Sequence, residues 1–210
     1  MPRVYVRPHM HLITAILDTL FPPSVHARLV RETTPETLAD EYMPQTVEGV
    51  SVLAEYRTER MVALLHEAKF HRNTTAIALL GRLLATHLKK CGLQDANLVP
   101  LPLSKERLRE RGYNQTVLIA RATQAHLPHL SVHGSLLVKN RHTQPQTSLP
   151  RRERLTNLAG AFAIGVHTLP FDTPLVVFDD ITTTGTTLAE ASRTLKSAGF
   201  TRVRKLALAH

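Results

Sequence analysis

The sequence is poor in residues that staple, stack or span. Cys91 is its one cysteine, and it has no tryptophan. A single cysteine excludes an intramolecular disulfide and any cysteine-rich zinc site, and it agrees with a cytoplasmic protein. No apolar run reaches the roughly 18 residues needed to cross a bilayer, so no membrane span is expected. The apolar stretch at residues 11–21 is interrupted by Asp18 and followed by Pro22 and Pro23. A signal peptide would carry small cleavage-site residues there. Neither G-x-x-x-x-G-K-[ST] nor G-x-G-x-x-G occurs, which argues against the usual triphosphate and dinucleotide loops.

Positive charge is abundant. The 210 residues include 26 Lys and Arg against 17 Asp and Glu, a net charge of +9. The excess is local: Lys105 to Arg154 holds ten basic and three acidic residues. Such a field attracts nucleic acid, a membrane surface or a polyphosphate. Within this stretch the one aromatic is Tyr113, whereas single-strand binders interleave aromatics with their charges. The length suits one α/β domain with a small N-terminal addition, and it can bury a core without staples.

The rest of the chain is organised around residues 175–187, Leu-Val-Val-Phe-Asp-Asp-Ile-Thr-Thr-Thr-Gly-Thr-Thr. The short apolar run after Pro174 predicts a strand buried on both faces. It ends in Asp179 and Asp180. A polar loop follows, then helical spacing from Leu188 to Gly199. A helix N-terminus offers free N–H groups and partial positive charge. Gly185 lets backbone approach an anion closely, and threonine hydroxyls add neutral donors. Carboxylates at a strand's carboxyl end suit the neighbouring hydroxyls of a sugar. One end of the stretch fits a phosphate and the other a ribose.

Elsewhere, apolar spacing predicts helices over residues 11–21, 58–70, 74–90 and 115–126. Strands are expected at residues 98–99, 130–138 with a break at Gly134, 161–166 and 203–208. Residues 24–50 are polar and broken by proline, with room for a short hairpin. Residues 104–115 read as a basic, ligand-facing loop after a strand. Residues 139–154 lack apolar periodicity and read as a mobile loop, suited to closing over substrate. Strands alternating with helices in the second half argue a parallel sheet flanked by helices. His9 and His11 read as solvated.

Three sets of residues carry a family resemblance. Residues 175–187 resemble the phosphoribosyl-pyrophosphate motif of type I phosphoribosyltransferases. Pro100-Leu-Pro102, with Arg107 and the Arg111-Gly-Tyr-Asn-Gln115 segment, resembles the "VPVPL … R…RGFNQ" signature of the ComF family. Thr143, Gln146 and Leu149, then Arg154, Asn157 and Gly160-Ala-Phe162, resemble that family's "T..Q..L….R..N..GAF" stretch. Leu65 to Phe70 resembles its "l…Kf" helix end. The resemblance covers roughly residues 56 to 208. It implies a type I phosphoribosyltransferase-like domain at residues 56–210, preceded by an N-terminal extension at residues 1–55. Many members begin with a cysteine-rich zinc module; this extension has no cysteine, so no structural zinc is expected.

The resemblance further implies binding of phosphoribosyl pyrophosphate or a ribose 5-phosphate compound. Thr182, Thr183, Thr184, Gly185, Thr186 and Thr187 would hold the 5′-phosphate, and Asp179 and Asp180 the ribose hydroxyls. Mg2+ would bridge substrate oxygens while keeping most of its waters, with no direct protein ligand expected. Pyrophosphate would be displaced at the anomeric carbon, with Asp179, Asp180 and Arg111 as the catalytic set. Lys69, Arg107, Lys139 and Arg141 are further candidate cations, and Gln146 a candidate substrate contact. No general base for an acceptor is legible. The family is associated with DNA uptake during competence. The alternative is therefore a non-catalytic accessory protein that keeps the fold as a ligand- or DNA-binding module, with weak nucleic-acid binding or contact with the uptake machinery.

Overall fold

The computed structural model describes residues 24–139 and 160–210. The expected helix at residues 11–21, the closing-loop role of residues 140–154, and the candidates Arg141 and Gln146 lie outside the described residues. Six strands form one sheet in the order β1-β2-β8-β7-β3-β4. They are β1 (Gln45–Val47), β2 (Val50–Ala54), β3 (Asn97–Pro100), β4 (Ser131–Val132), β7 (Leu175–Ile181) and β8 (Val203–Ala209). Only the β1–β2 hairpin is antiparallel; the remaining pairings are parallel. Short strands β5 (Leu137–Lys139) and β6 (Phe162–Ile164) pair antiparallel in a sheet of their own.

The alternation of side chains along β7 explains both layers. Val176 and Phe178 face a core formed with α1 (Val25–Glu32), α3 (Glu59–Phe70), α4 (Thr74–Lys90) and α6 (Gln115–Gln124). Leu175 and Val177 face a second core with α7 (Thr186–Ser197), β5 and β6. Burial on both faces is what a continuous Val/Leu/Phe run in a parallel strand requires. The stripes expected on α3 and α4 are inward: Met61, Leu64, Leu65 and Ala68, and Leu80, Leu83, Leu84 and Leu88, are all buried. At Gly81 an added Cβ would lie 2.8 Å from the Ala122 Cβ, so α4 and α6 pack closer than a larger side chain allows.

Several segments differ from expectation. Residues 24–50 contain two helices, α1 and α2 (Pro35–Ala39), before the hairpin. Strand β2 pairs with β8 through Ser51, Val52 and Ala54. The sheet thus draws strands from both sides of residue 55, and the hairpin belongs structurally to the main sheet rather than to the N-terminal extension. The break expected at Gly134 within residues 130–138 is a turn there, and the two pieces belong to different sheets. The basic segment after β3 is a helix, α5 (Lys105–Arg111), not a loop. Ser104 caps its start and Gly112, at φ 77°, ends it.

Candidate functional site

The chain leaves β3 for its neighbour β4 and leaves β7 for its neighbour β8, in opposite directions across the sheet. This reversal makes the carboxyl ends of β3 and β7 a topological switch point, where open α/β sheets bind ligands. The end of β7 carries Asp179 and Asp180. The end of β3 carries Leu101, whose carbonyl accepts from Asn114 Nδ2 at 2.8 Å and from Thr116 Oγ1 at 3.1 Å. Those two bonds fix the start of α6 beside the acid pair.

Gln115 is the consequence. It is 4% exposed, and its Nε2 donates to Asp180 Oδ2 at 2.8 Å. Its Oε1 accepts from Arg111 Nη1 at 2.5 Å. A hydrogen-bonded chain Arg111–Gln115–Asp180, buried at Gln115 and Asp180, thus links the basic helix α5 to the acid pair. Asp180 Oδ1 also accepts from the Ile181 N–H at 3.0 Å. Asp179 keeps some solvent contact, yet desolvation dominates its carboxyl group. Burial first, then the adjacent Asp180 charge, hold its pKa well above the ordinary carboxylate range, while Lys139 acts in the opposite direction. Lys139, at the end of β5, has its own pKa lowered by burial and by Arg107, and raised by Asp179.

Beyond the acids, the Thr182 N–H bonds to the Ala209 carbonyl at 2.9 Å, and Thr182 Oγ1 accepts from the Gly185 N–H at 3.1 Å. Thr184 and Thr186 share a hydroxyl–hydroxyl bond of 2.6 Å. Gly185 adopts φ 67°, and a Cβ there would lie 3.1 Å from Val50 Cγ2, so both conformation and space call for glycine. Helix α7 starts from Gly185 with no side-chain cap and no acid in its first turn. Its partial positive charge is therefore not offset by any carboxylate of its own first turn.

Lys69, Phe70, Arg107, Glu110 and Arg111 line an open cleft of about 470 Å³. Phe70 is 55% exposed; the Arg111 guanidinium lies 5.5 Å from its ring centroid and the Lys69 ammonium 5.3 Å. Tyr113 holds the two halves together: its hydroxyl donates to the Ala68 carbonyl at 3.1 Å and accepts from the Arg72 N–H at 2.9 Å.

The structure therefore brings Lys69, Arg107 and Arg111 to one cleft and ties Arg111 to Asp180. Lys139 interacts with both Asp179 and Arg107. Thr182, Thr183, Thr184, Gly185, Thr186 and Thr187 follow the acids at the start of α7. Gln115 and Phe70 are the residues sequence reasoning left without a role. Gln115 stood inside a quoted signature, which was a usable signal. Phe70 lies outside the basic stretch, so the expectation that Tyr113 is its one aromatic missed a ring that folding adds.

Together these features define an α/β protein with a mostly parallel sheet flanked by helices, of the kind found in phosphoribosyltransferases. No family model matches the chain. Competence protein F of Haemophilus influenzae is 30% identical over 167 residues, covering 75% of this chain and 71% of that protein. DNA utilization protein YhgH of Escherichia coli K12 is 32% identical over 151 residues, or 67% and 63% of the two chains. Competence protein ComFC of Bacillus subtilis is 34% identical over 104 residues, or 49% and 39%. The chain belongs to the ComF family. It spans less than two thirds of the E. coli and B. subtilis proteins. Among the described residues no helix is long and apolar enough to cross a membrane.

Proposed function

We propose that the chain binds phosphoribosyl pyrophosphate and transfers its phosphoribosyl group to an acceptor, releasing pyrophosphate. The observation that carries this reading is the order along one strand end: a buried acid pair, a Thr/Gly loop, and an uncapped helix N-terminus. The helix start of α7, with the loop threonine hydroxyls, takes the 5′-phosphate. Asp179 and Asp180 accept hydrogen bonds from the ribose hydroxyls. Burial and the adjacent Asp180 raise the Asp179 pKa; its Oδ1 accepts from the Asp180 N–H at 2.9 Å, and sugar hydroxyls or a hard cation would compensate its charge further. The two carboxylates suit a hard cation, so Mg2+ carried in with the substrate would fit here and would supply charge neutralisation at the leaving group. Arg111, held by Gln115, and Lys69 and Arg107 are the cations available to the departing pyrophosphate.

The test is calorimetric titration with phosphoribosyl pyrophosphate and Mg2+, followed by an assay of pyrophosphate release with candidate acceptors. The parent should bind one equivalent and the Asp179→Asn/Asp180→Asn double variant none. Equal affinity in both would refute the reading.

A second reading has its own observation. Phe70, exposed and flanked by Lys69 and Arg111, is the aromatic-plus-cation pair on which an unpaired base stacks. The relatives' names refer to competence and DNA utilization. In this reading the chain is an accessory protein that handles single-stranded nucleic acid along the cleft. It predicts steeply salt-dependent DNA affinity, about −0.7 in log–log slope per contacted phosphate, that is lost in Phe70→Ala and unaffected by phosphoribosyl pyrophosphate.

A further inference from the structure

The last turn of α3 carries a cluster that the acid pair and the cleft do not use. Glu67 is 3% exposed. Its Oε2 accepts from Asn73 Nδ2 at 3.2 Å and its Oε1 from Ser24 Oγ at 3.4 Å. Two imidazoles face the same oxygen without bonding to it. His66 Nδ1 is 4.0 Å and His71 Nε2 3.9 Å from Glu67 Oε1, too far for hydrogen bonds. His66 Nδ1 is buried and has no hydrogen-bond partner. A buried ring nitrogen in that state carries an uncompensated desolvation cost.

We propose that His66, Glu67 and His71 bind a divalent transition metal ion of the zinc class. The three ligand atoms lie within 4.8 Å of one another. Neighbouring ligands of a tetrahedral zinc stand about 3.4 Å apart, given bonds of about 2.0–2.2 Å. The observed 3.9 and 4.0 Å contacts would contract by roughly half an ångström to reach that spacing, a side-chain adjustment. An ion there gives the buried Nδ1 its missing partner and neutralises the buried carboxylate. Two imidazoles and one carboxylate select zinc and its neighbours over Mg2+ or Ca2+, which take oxygen shells. The fourth position is open to water. The shortage of cysteine excludes a thiolate site and says nothing against this donor set. The ion would also stiffen the turn that presents Lys69 and Phe70, since the His66 ring packs 4.9 Å from Phe70.

The test uses the full chain, stripped of metal and titrated with zinc chloride in a calorimeter. The parent should bind one zinc, and His71→Ala and His66→Gln should each weaken it at least tenfold. His129→Ala, an exposed histidine away from the cluster, should leave it unchanged. His71 is an exposed side chain, 56% accessible, so its removal leaves the fold intact. X-ray absorption of the zinc-loaded parent should show nitrogen and oxygen ligands only, and this readout stands even where a variant folds poorly. Absence of stoichiometric zinc binding would overturn the proposal. So would unchanged affinity in both His66→Gln and His71→Ala, or a sulfur ligand in the absorption spectrum.

Discussion

Helices α4 and α7 begin differently. Helix α4 starts on Asn73, whose Oδ1 accepts from the Thr75 and Ala76 N–H groups. The helices α1, α2, α3, α5 and α6 likewise begin on a Ser, Thr or Asn whose side chain takes a backbone N–H. Helix α7 begins on a left-handed glycine with no side-chain cap. A glycine start is only a few tenths of a kcal/mol weaker than a Ser, Thr or Asn cap, so α7 gives up a little stability and leaves its first turn without a side-chain oxygen. The acids beside it show the same pattern. Elsewhere in the sheet β7 buries Val and Phe; at its end it holds a desolvated carboxyl beside a second charge. The helical layer is built for stability. The strand end instead places a carboxyl raised by burial beside a helix start with no side-chain cap.

The largest effect on stability is expected at the open start itself. Gly185→Val places a β-branched residue at φ 67° and against Val50, costing about 2–3 kcal/mol. Denaturant unfolding measures it; a cost below 1 kcal/mol would mean the loop readily adopts another shape. Next is Gln115→Leu, which strips the buried Asp180 of its Gln115 bond and should cost about 1–3 kcal/mol. It should also weaken substrate binding, because Arg111 loses its anchor.

The acid pair should respond in the opposite direction. The folded Asp179 carboxyl titrates above its unfolded value, so the native state keeps the proton to higher pH than the unfolded chain. Stability therefore falls as pH rises from the ordinary carboxylate range, about 4, through the raised value. Asp179→Asn removes that loss. It should be more stable than the parent by about 0.5–2 kcal/mol at high pH, with the gain vanishing near pH 4. A variant that is less stable across the range would show that the carboxylate is already compensated. The smallest change in binding is at the capped start: Asn73→Ala loses the cap and the bond to buried Glu67, costing about 1–3 kcal/mol of stability, and should leave binding of phosphoribosyl pyrophosphate unchanged.

What was legible in the sequence follows from what leaves a periodic trace. Helices α3 and α4 bury regular apolar stripes, and β7 is a continuous apolar run; all three stand near their expected positions. Helix α5 escaped because its Lys-Glu-Arg-Leu-Arg-Glu-Arg sequence buries no residue. Only the Ser104 cap and Gly112 announced it. Helix α1 buries Val30 alone. The order of acids and Thr/Gly loop was readable because it is contiguous. The Gln115–Asp180 bond joins residues 65 apart, and the approach of Lys139 to Asp179 depends on where a separate small sheet lands. Such contacts have no local spacing to betray them.

Phosphate binding at the start of α7, which has no side-chain cap, is the part of the proposed function most directly open to test. Thr186→Glu places a carboxylate in its first turn, which should favour the helix by about 0.3–1 kcal/mol and repel the ligand. Ribose 5-phosphate is titrated into the parent and this variant, with melting temperatures recorded alongside. The parent should show saturable one-to-one binding, and the variant should bind at least 100-fold more weakly while melting no lower. Equal affinity in the two proteins, or no binding by the parent, would contradict it.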